Sequence, residues 1–129
     1  MPTKQDAVVL FAHGARDPGW AAPLRRIQAR LQAAAPGCEV ELAFLELMQP
    51  DLPEAMRRLA ARHVGRVTIV PVFLAQGGHL KEDLPRLIDR VRAEHPSLVI
   101  HVTSAIGDSE ALTNAIADWA LAEHRRAGR

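Results

Sequence analysis

The sequence holds a single cysteine, Cys38, in 129 residues. One thiol excludes an internal disulfide and cannot build a cysteine-rich metal site. Net charge is almost as scarce. The 16 Lys and Arg stand against 15 Asp and Glu, leaving a formal +1. That balance gives no argument for a nucleic-acid partner, and no basic run suggests a membrane surface. No apolar run approaches the length needed to cross a bilayer. The opening MPTKQDAVVLFAHG carries only a short apolar stretch, which reads as a strand rather than a signal peptide. The expected compartment is therefore the cytoplasm. Two enzyme signatures are missing as well. Without a G-x-G-x-x-G or Walker sequence, no nucleotide is expected. Without a G-x-S-x-G elbow, the His-Gly after the first apolar run does not make a hydrolase.

What is present is a regular alternation of short apolar runs and amphipathic segments, over a length that suits one domain, 1–129. Residues 7–12 (AVVLFA) read as a strand, followed by the turn His13-Gly14-Ala15-Arg16-Asp17-Pro18-Gly19. Trp20, Leu24, Ile27 and Leu31 then recur at three and four residues and give a helix that Pro36-Gly37 stops. Residues 38–45 form a second strand, with Glu46 just past its end. Asp51-Leu52-Pro53-Glu54 opens a second helix, with an acidic N-cap, an early proline and Glu at the third position. The stretch 67–85, VTIVPVFLAQGGHLKEDLP, supplies a third strand, a glycine turn carrying His79, and a third helix from about Leu80, with Pro85 compatible with its first turn. Residues 98–103 make a fourth strand, and Gly107-Asp108 opens a last helix with Leu112, Ala115, Ile116 and Trp119 on one face. Four βα units with short connections predict an α/β fold: a four-stranded parallel sheet with helices on both faces. Trp20 and Trp119, on helix stripes, are expected in the core, as is Cys38. His63 and His95 are expected to close the second and third helices, His101 to lie within the fourth strand, and His124 in the polar tail.

In such a repeat every strand-to-helix turn lies on one edge of the sheet, where ligands of open parallel sheets bind. His13, Glu46 and His79 follow three successive strands at equal intervals, since 46 − 13 and 79 − 46 are both 33. Two imidazoles and a carboxylate suit a first-row divalent metal and leave positions open for a substrate. Gly77-Gly78 is either a tight turn or a cradle for an anion at a helix N-terminus. Arg16 and Lys81 flank the turns; each is either a solvated charge or a contact for substrate carboxylates.

Three motifs together resemble a known family. His-Gly-Ala-Arg-Asp after the first strand, Phe-Leu-Glu after the second and Gly-Gly-His-Leu-Lys-Glu-Asp-Leu-Pro after the third look like the short CbiX-type sirohydrochlorin cobaltochelatases, with their ferrochelatase and nickel-chelatase relatives. One departure is Ala15, where the family commonly has serine. The resemblance implies a chelatase-like fold and ATP-independent insertion of a divalent metal substrate, Co2+ before Ni2+ or Fe2+, into sirohydrochlorin. His13 and His79 would bind the metal with Glu46 assisting. Arg16, Lys81, Gly77 and Gly78 would meet the tetrapyrrole, and Leu74 and Leu80 would offer apolar cover. It also implies a homodimer, because longer members carry two such units in one chain. A non-catalytic metal or tetrapyrrole carrier would use the same histidines.

Overall fold

The structure, a computed structural model, describes residues 5–129 apart from the side chain of His79. Four strands, β1 (Gln5–Ala12), β2 (Cys38–Phe44), β3 (Val64–Pro71) and β4 (Val99–Val102), alternate with four helices. The helices are α1 (Ala22–Ala34), α2 (Leu52–Ala61), α3 (Gly78–Glu94) and α4 (Glu110–Ala127). Short 3-10 turns at Pro18–Ala21 and Ile106–Asp108 precede α1 and α4. The strands form one parallel sheet in the order β2-β1-β3-β4, with Val9 of β1 opposite Glu41 on one side and Ile69 on the other. The expected four-stranded parallel α/β architecture is therefore present.

The pleat sends alternate side chains to opposite faces. On one face Val9, Phe11, Val67, Ile69 and Ile100 pack with Leu52, Met56 and Leu59 of α2 and with Leu80, Leu84, Ile88 and Val91 of α3. On the other, Leu10, Ala12, Val40, Leu42 and Phe44 pack with Ala21 and Leu24 at the start of α1. Gln28 and Gln32 of α1 also bond the backbone of the edge strand: Gln28 donates to the Val40 carbonyl at 2.8 Å and Gln32 to that of Cys38 at 2.6 Å.

Several expectations need correction. The helix α3 begins at Gly78 rather than Leu80, so Pro85 sits inside it and not in its first turn. The backbone of Gly77 is ordinary extended chain (φ −69°, ψ 166°), and open space surrounds both Gly77 and Gly78, so the turn does not require glycine at either. His63 lies past the end of α2 with φ 63°, as the turn into β3 rather than a helix residue. Cys38 is half-buried at the head of β2 rather than in the core, and desolvation, with Asp6 nearby, pushes its thiol pKa up. The largest departure concerns the two tryptophans. Trp20 is exposed, and Trp119 is 67% exposed on a helix, α4, none of whose residues is buried.

Candidate metal and substrate site

The turns after β1 and β2 are welded together by backbone bonds that continue the sheet beyond the strands. The Leu45 amide donates to the Ala12 carbonyl at 2.9 Å, and the Glu46 amide to the His13 carbonyl at 3.1 Å. Gly14 makes the approach possible. Its φ is +95°, which side chains rarely adopt, and a Cβ there would collide with the Glu46 carbonyl. The two side chains consequently meet: His13 Nε2 lies 3.1 Å from Glu46 Oε1. Because a carboxylate oxygen only accepts, Nε2 is the donor of this pair, and in the neutral ring Nδ1 carries the free lone pair. The His13 ring also stands edge-on to Phe73, with centroids 6.4 Å apart and an interplanar angle of 88°. Phe73 is itself buried, two residues beyond β3. It therefore ties the His13 turn to the turn after the neighbouring strand.

That third turn carries His79. The Val72 amide donates to the Phe11 carbonyl at 2.7 Å, so β1 and β3 stay paired up to the sheet edge. His79 lies in the first turn of α3, which starts at that same edge. The three turns thus leave adjoining strands, β2, β1 and β3, on one edge. The expectation that the His79 imidazole joins His13 concerns a side chain outside those described. Among the described residues, no group of three or more His, Cys, Asp and Glu gathers around a point.

The other expected residues divide. Arg16 and Lys81 are both exposed. Among the described residues neither forms an ion pair, so both cations stay available. Leu80 turns into the core beside Leu84 and Ile88 rather than toward solvent. Exposed apolar surface comes instead from Leu74 and from Leu47, a residue with φ 66° in the turn after Glu46. Sequence reasoning passed over Leu47 and Phe73, since no periodicity sets them apart from their apolar neighbours Met48, Val72 and Leu74. A cavity of about 520 Å³ opens between α2 and α3, lined by Leu45, Leu52, Arg57, Leu80 and Arg86 among others. It does not reach His13 or Glu46, each 55% exposed in its side chain, which sit on an open shelf.

A family model described as CbiX matches residues 7–121. A sirohydrochlorin cobaltochelatase from Methanopyrus kandleri is 37% identical over 82 residues, covering 64% of this chain and 57% of that one. A sirohydrochlorin ferrochelatase from Bacillus subtilis is 26% identical over 119 residues, covering 87% of this chain and 43% of that one. The chain spans about three-fifths of the length of the cobaltochelatases it matches. The crystal structure of a CbiX protein from Marinobacter aquaeolei VT8 superposes with a TM-score of 0.82 at 31% identity, covering 94% of this chain and 98% of that one. The sirohydrochlorin chelatase SirB from Bacillus subtilis, solved in complex with cobalt, shares the fold with a TM-score of 0.71 at 24% identity, covering 82% of this chain and 45% of that one.

Proposed function

The chain belongs to the CbiX family, and from that membership we propose that it inserts a divalent metal ion, Co2+, into sirohydrochlorin without ATP. The observation that carries this reading is the His13–Glu46 pair, an imidazole and a carboxylate bonded at 3.1 Å on an open shelf where three strand-to-helix turns leave adjoining strands. We assign His13 and His79 as the imidazoles that hold the metal substrate, with Glu46 beside them.

The chemistry asks for a metal that is held yet releasable, for a base to take the two pyrrole protons, and for a surface that presents a flat macrocycle. Neutral imidazoles bind first-row divalent ions and exchange when few protein ligands hold the ion. His13 offers Nδ1 for this while Nε2 stays bonded to Glu46. Glu46 is the base at hand for a pyrrole proton, and an imidazole displaced from the metal is a second. An open shelf admits a ring too broad for an enclosed pocket, and the exposed Leu47 and Leu74 give it apolar faces to rest on. Sirohydrochlorin carries many carboxylates, for which Arg16, Lys81 and the free amides at the start of α3 form a positive rim. We assign the working form as a cytoplasmic homodimer, supported by a last helix that leaves its apolar stripe uncovered.

The experiment is direct: mix the protein with sirohydrochlorin and Co2+ and follow the absorption spectrum. Turnover that rises with protein concentration is expected, and its loss in His79→Ala with an unchanged circular dichroism spectrum. Stoichiometric binding without turnover would replace the enzyme by a carrier. A folded His79→Ala variant at full rate would remove His79 from the site. Cobalt is the metal named for several of the relatives, and iron is the alternative, so the same assay with Co2+, Ni2+ and Fe2+ in competition assigns the metal.

A further inference from the structure

The turn after β2 holds a strained residue. Leu47 sits at φ 66°, and the Met48 amide donates across it to the Glu46 carbonyl at 2.8 Å. A three-residue turn of that hand is rare, and glycine enters it without the steric cost that a leucine carries. The loop around it is closed as well, since the Phe44 amide donates to the Pro50 carbonyl at 2.9 Å. The neighbours of Leu47 are packed, Leu45 against the larger core and Met48 against the smaller one. Leu47 instead stands out, 57% exposed, directly after Glu46. A single exposed leucine needs no explanation, but one kept in water at a strained backbone position does.

A second leucine is presented on the other side of His13. Leu74, 67% exposed, follows the buried Phe73 in the turn after β3. That turn is gripped by the one after β4, which carries none of the assigned site residues. The Thr103 amide donates to the Ile69 carbonyl at 3.0 Å, and the Gly107 amide to the Phe73 carbonyl at 3.1 Å. Gly107 approaches so closely that a Cβ there would strike the Leu74 carbonyl. Phe73 also meets the rings of Phe11 and His13. The backbone that carries Leu74 is therefore fixed from both sides. Because β2 and β3 flank β1, the two leucines follow strands about 10 Å apart, with the His13 turn between them.

We infer that Leu47 and Leu74 are two preset apolar contacts that determine how a flat macrocycle is seated over His13. The inference rests on the sirohydrochlorin reading above for its substrate and names the residues that select it. Contacts fixed before binding need little ordering when the ring arrives, so less of their apolar gain is lost. Two contacts this far apart bear on separate parts of a broad ring, and a small apolar molecule does not bridge them. The strain at Leu47 then has a use, since it holds in the free protein a side chain that the ring covers.

Titration of metal-free sirohydrochlorin, followed by its absorption with no metal present, tests the pair without requiring turnover. Leu47→Gly is expected to raise Kd about tenfold. Its urea midpoint should hold or rise, since glycine relieves the turn and the exposed side chain packs on little. Leu74→Ala should raise Kd to a similar degree, and the double variant by the product of the two changes, as for contacts on separate parts of one ring. Affinity for Co2+ alone should stay at the parent's value in all three. A Leu47→Gly protein that binds the ring as tightly as the parent would overturn the role of Leu47 and leave its turn serving only to pack Leu45 and Met48. A lower urea midpoint for that variant would overturn the strain. A double variant no weaker than either single one would overturn the pair as two separate contacts. A parent that binds sirohydrochlorin without turnover would fell the chelatase reading and keep the pair, whereas a parent that does not bind it would fell both.

Discussion

His13 is held from three sides: by the strand it follows, by Glu46 at Nε2 and by the perpendicular ring of Phe73. A ring so fixed presents Nδ1 in one direction, which is what an exchangeable metal ligand needs. The Glu46 carboxylate has two jobs in the proposed chemistry, orienting His13 and accepting a pyrrole proton, and a single substitution separates them. Glu46→Gln keeps an acceptor for Nε2 but removes the base. The insertion rate should fall on the order of 10²-fold while the affinity for Co2+ alone holds. A glutamine variant at full rate would leave Glu46 a positioning residue only. Gly14 is the less obvious member of the site. At φ +95°, with the Glu46 carbonyl where a Cβ would go, alanine must distort the turn that joins the two side chains. We expect Gly14→Ala to cost about 1–3 kcal/mol in urea unfolding and to reduce insertion in the protein that remains folded. Unchanged stability would mean that the turn relaxes freely. The sequence did not reveal this constraint: His-Gly reads as a generic turn, and the carbonyl that makes the glycine necessary lies 32 positions away.

At the scale of elements, the sequence announced the start of α2 best, whereas Gly107-Asp108 ends a 3-10 turn and α4 starts at Glu110, capped by Ser109. Asp51 caps α2 as its motif predicts, accepting from the Glu54 amide at 2.9 Å, with Pro53 in the first turn. Glu54 in turn bonds Arg57 at 2.6 Å and Arg58 at 3.3 Å, and the hydrogen bond from Arg57 holds its carboxyl below the usual range. Asp51→Ala should therefore lower stability by about 1 kcal/mol, measured as a shift in the urea midpoint. The depressed Glu54 carboxyl adds a sign. Its contribution is present above the ordinary pKa of 4.5 and is lost as the pH falls below that value through the lowered one. Stability of the parent chain should decline over that acid range more steeply than that of Glu54→Gln, and parallel curves would show that the bonds to Arg57 and Arg58 contribute nothing. The start of α3 was less legible. Gly77-Gly78 suggested a tight glycine turn or an anion cradle, yet the backbone there is ordinary and open, because the helix simply starts earlier than its apolar spacing indicates. Leu80 shows the same limit. A leucine beside the presumed site looked like substrate cover, but helical periodicity assigns it to the core with Leu84 and Ile88, and that is where it packs.

For the molecule as a whole, topology followed from pattern. Four βα units and right-handed crossovers leave few alternatives to one parallel sheet, and the turns after the first three strands had to share an edge. What pattern could not give is which chain a hydrophobic stripe packs against. Leu112, Ile116 and Trp119 have the spacing of a buried face, and the sequence records only that the face must be covered. The two layers consequently differ in kind. The α2–α3 layer is complete within one chain, and truncation there, as in Met56→Ala, should cost about 2–5 kcal/mol of a total near 5–15 kcal/mol. The α1 layer is half empty within one chain, no residue of α4 is buried, and the proposed homodimer would cover that helix's stripe. Thermal unfolding separates the two. If folded chains associate, mass action raises the midpoint with protein concentration, since the partner binds the folded form and not the unfolded one. Met56→Ala should lower the midpoint by several degrees at every concentration and keep the same concentration dependence. Ile116→Glu/Trp119→Glu should behave oppositely, abolishing the dependence while leaving the dilute-limit midpoint close to that of the parent chain. If the glutamates on α4 instead lower that dilute limit as much as Met56→Ala does, α4 stabilises its own chain, and the half-empty layer is filled from within.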